Sequence, residues 1–258
     1  MLRYFISICF LLYFFSGQLY AQSKPIDLQP KDTTVYKQEY GLRVGIDLSR
    51  PVLTFLDDDY TGFEVVGDYR LTDRLYVAAE LGNEDNRREE LLDQEVLYDF
   101  TTNGSYVKLG IDYNTYSNWY GMNNSIHVGG RYAFSSFSQT LDNFRIFNSN
   151  RFFNPDGLAI GSTESQEFSG LNASWLEFVV GLKAELFANI YLGLSARIGF
   201  LITDKAADNF PNLYVPGFGR VTDDSSFGVG YNYTITYLIP LYKKANKKKK
   251  NKDKATQN

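Results

Sequence analysis

Between Tyr40 and Ile239 the chain falls into eight segments in which apolar and polar residues alternate with a period of two, the pattern of strands that bury or expose one apolar face. In the first, Leu42, Val44, Ile46 and Leu48 oppose Arg43, Gly45 and Asp47; in the second, Phe63, Val65 and Tyr69 oppose Glu64, Asp68 and Arg70. Leu75, Val77, Ala79 and Leu81 then oppose Tyr76, Ala78 and Glu80, and Val107, Leu109, Ile111 and Tyr113 oppose Lys108, Gly110 and Asp112. The fifth segment sets Ile126, Val128, Tyr132 and Phe134 against His127, Gly129 and Arg131, and the sixth sets Leu176, Phe178, Val180 and Leu182 against Trp175, Glu177, Gly181 and Lys183. Ile190, Leu192, Leu194, Ile198 and Phe200 oppose Gly193, Ser195, Arg197 and Gly199, and the last segment opposes Phe227, Val229, Tyr231, Tyr233 and Ile235 to Gly228, Gly230, Asn232 and Thr234.

The connections alternate in length. Those at Leu71–Arg74, Asn114–Ser125 and Phe187–Asn189 are short, whereas Arg50–Tyr60, Asn83–Asn103, Ser136–Ala173 and Thr203–Ser226 are long and polar. Short turns at one end, long loops at the other and strands of spanning length predict an all-β, antiparallel up-and-down transmembrane β-barrel of eight strands over residues 40–242. Both termini then share the periplasmic end with the short turns, and the long loops are extracellular. Aromatic residues on the apolar face suggest two interfacial girdles, Tyr40, Tyr69, Tyr113 and Tyr237 below and Phe63, Phe134, Phe200 and Phe227 above. The competing architecture is a water-soluble barrel with the apolar face inward. The glycines among the charges argue against it, since glycine weakens a solvated strand but fits a narrow lumen.

Composition adds the compartment. Arg3, the apolar run Tyr4–Phe15 and the junction Ala21-Gln22 form a secretory signal peptide over residues 1–21. The single cysteine, Cys9, lies inside that run, so the mature chain has neither disulfides nor thiolate metal ligands and no cofactor is implied. Residues 22–39, with Pro25 and Pro30, read as a linker. Lys243 to Lys254 holds eight lysines and one aspartate, and residues 243–258 read as a disordered, lysine-rich periplasmic tail that faces anionic lipid or cell-wall polymer. Export excludes nucleic acid as a partner.

On these features the chain resembles the small eight-stranded outer-membrane barrels of the OmpA, OmpX and OmpW type, and the signal junction and lysine-rich end are similar to small outer-membrane barrel proteins of the Bacteroidota. The resemblance implies a bacterial outer-membrane location, contact with outer-membrane lipid and lipopolysaccharide, and a structural or interaction role, as an accessory to a larger envelope complex. It transfers no functional residue.

The candidate chemistry lies on the polar face. Arg43, Asp47, Glu64, Asp68, Glu80, Lys108, Asp112, His127, Arg131, Glu177, Lys183 and Arg197 form a nearly balanced set of charges, expected to fill the lumen as ion pairs because an unpaired charge there is costly. His127, the only histidine, is expected low in the barrel and bonded to neighbouring carboxylates, out of reach of outer-leaflet substrates. A lipid-modifying enzyme using His127 and passage of small apolar solutes through an opening in the lumen wall stay as the alternatives. Asp57, Asp58, Asp59, Glu84, Asp85, Glu89 and Glu90 make an acidic crown without a calcium-loop spacing. The stretch from Ser135 to Asn172, with Phe144, Phe147, Phe152 and Phe153, is expected to be the partner-binding loop, or a lid over the mouth.

Overall fold

The computed structural model describes residues 37–92, 95–116, 123–147, 152, 158–162, 164–207, 210–222 and 225–245. The chain divides into two units, Met1–Val35 and Tyr36–Asn258, and every described residue belongs to the second. The signal peptide, residues 22–36 of the expected linker and residues 246–258 of the expected tail lie outside the described residues; residues 37–39 and 243–245, expected in the linker and the disordered tail, are instead strand.

Its elements run β1 (Lys37–Asp47), α1 (Ser49–Leu56), β2 (Tyr60–Arg70), β3 (Leu75–Leu92), β4 (Glu95–Asn114), β5 (Ser125–Phe147), β6 (Leu158–Ser162), β7 (Gln166–Phe187), β8 (Ile190–Lys205), β9 (Tyr214–Val215), β10 (Gly219–Arg220) and β11 (Phe227–Ala245). Strands β1, β2, β3, β4, β5, β7, β8 and β11 pair antiparallel in that order, and β11 returns to β1, so eight strands close a ring. β6 adds to the top of β5, and β9 and β10 form a separate small hairpin.

Square to the strands, the ladder runs from Phe227 through Phe200, Leu176, Tyr132, Leu109, Ala79, Gly67 and Val44 and meets β11 again at Tyr237. The stagger is therefore ten residues, from 227 to 237. Eight strands with that stagger tilt by about 40° from the barrel axis and leave an interior that side chains fill.

The apolar face is the outer one. Leu42, Val44, Val77, Leu109, Ile111, Val128, Phe178, Val180, Leu194, Ile198 and Ile235 are all exposed, while the charges opposite them are buried. This belt excludes the inverted, water-soluble arrangement, and no described helix is long and apolar enough to cross a membrane. The aromatic rims follow in part: Phe63, Phe134, Phe200 and Phe227 face outward at the upper edge, with Phe200 and Phe227 rings 5.2 Å apart, and Tyr113, Tyr237 and Tyr242 at the lower. Tyr40 departs from the expected girdle. Beside the register shift between Tyr40 and Gly41 its ring is covered, 1% exposed, stacked on Tyr242 at 5.1 Å and faced by the Arg70 guanidinium.

The largest departure from the sequence reading is above the belt. Residues 83–103 and much of 136–173 are not loops, because β3, β4, β5 and β7 continue well past the apolar stretch. β4 has 20 residues, about twice the 9–11 that span a bilayer. Its outward positions change from Val107 to Ser105, Asn103 and Thr101, and those of β3 from Leu81 to Asn83, Asp85 and Arg87. With water on the outside the apolar half of the alternation disappears, yet the ladder persists. Polar cross-strand pairs take over, Asn83 Nδ2 to Ser105 Oγ at 3.0 Å and Asn103 Nδ2 to Asp85 at 2.9 Å.

The connection after β1 also holds structure. Asp47 accepts hydrogen bonds from Ser49 N at 3.0 Å and Ser49 Oγ at 2.6 Å, starting α1, and Pro51 falls in its first turn where no N–H is needed. Thr54 Oγ1 accepts from Gly62 N at 2.9 Å, which ties α1 to the edge of β2. Val52, Phe55 and Leu56 are left exposed near the upper rim.

Two neighbouring substitutions separate lipid exposure from packing. Leu109→Arg is expected to cost about 2–4 kcal/mol, the range for a charge on the lipid face near mid-bilayer. Gly110→Ser is expected to destabilise by another route, since a Cβ there would lie 1.9 Å from the Gly130 carbonyl oxygen. Urea unfolding in micelles, read by the heat-modifiable band on gels, measures both; a neutral Leu109→Arg would contradict the lipid-facing assignment.

Candidate functional site

The lumen is built in tiers. At the turn end, the Arg70 guanidinium lies 4.6 Å from the Tyr40 ring centre and donates to the carbonyl oxygens of Glu39, Thr72 and Asp73 at 3.2, 3.1 and 3.1 Å. Arg43 sits between Tyr76 and Tyr191, 4.9 and 5.2 Å from their centres, and binds Asp68 at 2.7 Å. Asp68 also receives Lys183 at 2.6 Å. Cations stacked on aromatic faces close this end.

Above it runs a chain of ion pairs. Arg131 forks onto Asp112 at 2.7 and 2.9 Å and reaches Glu80 at 3.2 Å; Glu80 is held from the other side by Arg197 at 2.5 and 3.1 Å. Arg197 continues to Glu177 at 3.2 Å, and Glu177 accepts from Lys108 at 2.8 Å and from Trp175 Nε1 at 2.7 Å. Side chains of β3, β4, β5, β7 and β8 meet in this one chain, so it braces the barrel across its width. Bidentate guanidinium–carboxylate contacts of this kind are the strong form of the interaction.

The top tier joins the barrel to the connection between β8 and β11. Glu64 accepts from Tyr106 Oη at 2.5 Å and from Asn232 at 3.0 Å, while Asn232 also donates to Asp47 at 2.5 Å. Glu84 accepts from Tyr214 Oη at 2.7 Å and Gly217 N at 3.1 Å, and lies 3.0 Å from Arg50. Lys108 donates to the Gly217 carbonyl oxygen at 2.9 Å. The hairpin β9–β10 therefore drops its tip into the mouth as a plug. Burial, with Glu84 alongside, holds the Tyr214 phenol well above its ordinary pKa, so it stays a donor.

The plug fits because of local glycine. Gly217 has φ +82°, and a Cβ on it would stand 2.5 Å from the Tyr106 ring. Phe218 packs edge-on to Trp175 at 5.6 Å and covers Gly199 and Gly228, where a Cβ would fall 2.9 and 3.0 Å from its ring. Val215 joins Tyr106, Ala133, Phe137, Leu171, Ala173 and Trp175 in the main apolar cluster.

Two spaces border the plug. A cavity of about 360 Å³ lies between the upper β3–β4 hairpin and the plug, lined by Asn86, Tyr98, Phe100, Leu213, Tyr214 and Val221 among others. A recess of about 150 Å³ lies between α1 and the upper part of β11, with Leu53, Phe218, Val229 and Tyr231 at its sides and Lys108, Glu177 and Arg197 deeper in. The recess exists because the β1 ladder stops at Asp47–Thr234 and Ile46–Val65, below the tops of β11 and β2.

The family match decides the classification, for one family model covers residues 1–244. The chain belongs to DUF6048, a domain of unknown function. A comparison with curated proteins finds no match. Among solved structures, this DUF6048 chain is similar to Ail, the attachment invasion locus protein of Yersinia pestis, at 10% identity and TM-score 0.37, covering 78% of this chain and 98% of that one. It is similar also to CarO of Acinetobacter baumannii, at 9% identity and TM-score 0.36, covering 77% and 98%.

The structure places all twelve charged or titratable lumen positions read from the sequence inside the barrel. Three differ in detail. Glu64 is held by hydrogen bonds from Tyr106 and Asn232 in place of an ion pair. Asp47 is satisfied by Ser49, Asn232 and Tyr233 N, with Arg50 3.9 Å away, instead of by a close ion pair. His127 is buried low in the lumen, but its Nε2 is 4.0 Å from Asp112, beyond hydrogen-bond range, and its Nδ1 has no partner. Phe144 and Phe147 lie on the upper part of β5, Phe152 is 85% exposed in a turn, and Phe153 is outside the described residues. In the acidic crown, Asp57 pairs with Arg88 at 2.8 Å, and the described residues hold no cluster fit for a metal ion.

Arg50, Tyr106 and Tyr214 escape the sequence reading. Arg70 keeps the polar-face position expected of it, although it is not among the lumen charges read from the sequence, whereas Glu84 departs from the expected acidic crown: the inward parity of β3 buries it among Tyr214, Gly217 and Arg50. Tyr214 sits in a segment with no period at all.

Arg197→Met is expected to cost about 3–5 kcal/mol, because Glu80 and Glu177 would both lose a buried partner. Arg220→Ala removes only an exposed pair with Glu90 at 2.7 Å and is expected to cost about 0–1 kcal/mol. Urea midpoints of the two variants, in one detergent, give the comparison.

Proposed function

We propose that the protein is an integral outer-membrane barrel with a sealed lumen, periplasmic termini and outward-facing loops, and that it serves as a structural or interaction protein, as an accessory to a larger envelope complex. Its apolar belt meets outer-membrane lipid, and its raised wall meets lipopolysaccharide and protein partners. The observation that carries this reading is the unbroken chain Asp112–Arg131–Glu80–Arg197–Glu177–Lys108, capped by the plug at Gly217. Such a filling suits a brace and blocks a pore, because ions would have to displace paired charges in a narrow interior.

The enzyme alternative fares poorly on position. His127 is held near the turn end, opposite Asn114 and Gly181 in the ladders, below the ion-pair chain and far from the loop end. The transport alternative has one observation in its favour, the recess between α1 and β11. An apolar solute entering there would meet Lys108, Glu177 and Arg197, which is a poor continuation for an apolar path.

Refolded protein in planar bilayers is expected to be silent, whereas Lys108→Ser combined with Arg197→Ser is expected to conduct; porin-sized steps from the unaltered protein would sink the sealed-lumen reading. Lipid A mass profiles from cells with the unaltered protein, with His127→Ala and with no protein are expected to be the same. A difference that follows the histidine would move the protein into the enzyme class.

A further inference from the structure

The cavity of about 360 Å³ beside the plug is at the small end of the roughly 300–1,000 Å³ of ligand sites. Its walls are rigid for separate reasons. Tyr98 and Phe100 stand on β4, their ring centres 6.1 Å apart and inclined by 44°. Tyr214 faces them from the plug, with its hydroxyl fixed on Glu84. Leu213 and Val221 are joined by the hydrogen bond from Val221 N to Leu213 O at 3.0 Å, which holds the two arms of the plug together.

The cations at the rim are taken. Arg88 and Arg220 stand with Glu89 and Glu90 around the cavity; Arg220 donates to Glu90, and Arg88 is drawn away to Asp57, which leaves the Glu89 carboxylate as an acceptor. Among the described residues of the rim an anionic ligand would find both arginines already paired. The polar demand comes instead from Asn86, which lines the cavity, is 1% exposed, and has a side-chain oxygen without a hydrogen-bond partner. A buried carbonyl oxygen left so is unfavourable, and a donor that reaches it supplies the missing hydrogen bond. Asn86 Oδ1 accepts only, as does the carboxylate of Glu89.

The occupant that suits these groups has no anionic group, carries hydroxyl donors on its edge and offers an apolar face to aromatic rings. We propose that this cavity binds a neutral sugar ring, a hexopyranose unit of a saccharide. Its C–H face packs on Tyr98, Phe100 or Tyr214, and its hydroxyls donate to Asn86 and Glu89. A purely apolar ligand would leave Asn86 unsatisfied, a simple quaternary amine has no N–H or O–H to donate to it, and an anionic group would meet arginines already paired. The proposal rests on the outward-facing reading only for the origin of the saccharide, either the cell's own envelope polysaccharide or a foreign glycan.

The test uses full-length protein folded in an amine-oxide detergent, which has no sugar headgroup. Saturation-transfer NMR is run with glucose, galactose, mannose, N-acetylglucosamine and their disaccharides, with tetramethylammonium and glucuronate as charged probes. At least one neutral saccharide is expected to bind. Thr222→Trp, an exposed rim position that would fill the cavity, and Asn86→Leu are each expected to weaken that binding at least tenfold, in protein that keeps its heat-modifiable migration. Glycan arrays carrying polysaccharide from the cell's own lipopolysaccharide beside foreign neutral oligosaccharides then identify the source. The proposal is overturned if no neutral saccharide binds, if a charged probe binds more tightly, or if neither variant changes the affinity. Conductance plays no part in this readout, so failure of the sealed-lumen reading and failure of sugar binding are told apart.

Discussion

Charge held in a space too narrow for water is the constraint on which the other features depend. Eight strands with a ten-residue stagger leave room only for side chains, so every carboxylate placed inside must meet a cation or several donors. Glu80 is gripped by Arg131 and Arg197, Glu177 by Lys108, Arg197 and Trp175, and Asp68 by Arg43 and Lys183. Because each of these ion pairs joins different strands, the electrostatic requirement also fixes the register. A one-residue slip of any strand would send its charges into lipid and its leucines into the lumen.

The same crowding explains where glycine stands. A Cβ on Gly129 would lie 2.1 Å from an Asp112 oxygen, and one on Gly193 would lie 2.3 Å from Thr234 Oγ1. Inward glycine is thus the complement of inward arginine. The plug obeys this logic at the mouth: Gly217 approaches Tyr106 and Lys108 closely because it has no side chain, and Phe218 covers the glycines of β8 and β11. Where the mouth needs a lid, an apolar ring over glycine and a backbone carbonyl on a lysine supply it.

How much of this could be read from the sequence follows from what the surroundings demand at each height. Within the bilayer the outer face must be apolar and the inner face polar, so Leu109 and Lys108 point to their own positions and the eight segments stand out. Above it the outer face turns polar, as at Asn83 and Asn103, while the inner face mixes polar residues such as Glu84 and Thr102 with apolar ones such as Phe137 and Leu171, and hydropathy loses its period although the backbone ladder continues. The wall of β3–β4 and β5–β7 therefore looked like loop. Tyr40 was taken for an exposed girdle residue because its cover, Tyr242 and Arg70, comes from distant strands, and the plug was invisible because its fit is set by contacts distant in sequence, Tyr214 with Glu84 and Gly217 with Lys108.

The raised wall changes what the barrel presents to its surroundings. A barrel that ended at the bilayer would offer only mobile connections to a partner, whereas here paired strands carry Asn86, Tyr98 and Phe100 above the belt with the stiffness of the sheet. The plug then supplies the facing wall, and its own position is set from below by Lys108 and Glu84. Lys108 is at once the last link of the ion-pair chain and the seat of the plug, so the charge arrangement in the lumen reaches through one side chain to the geometry of the mouth. A barrel of this construction does not need an open pore for its interior to matter: the interior fixes the shape of the surface that meets the outside.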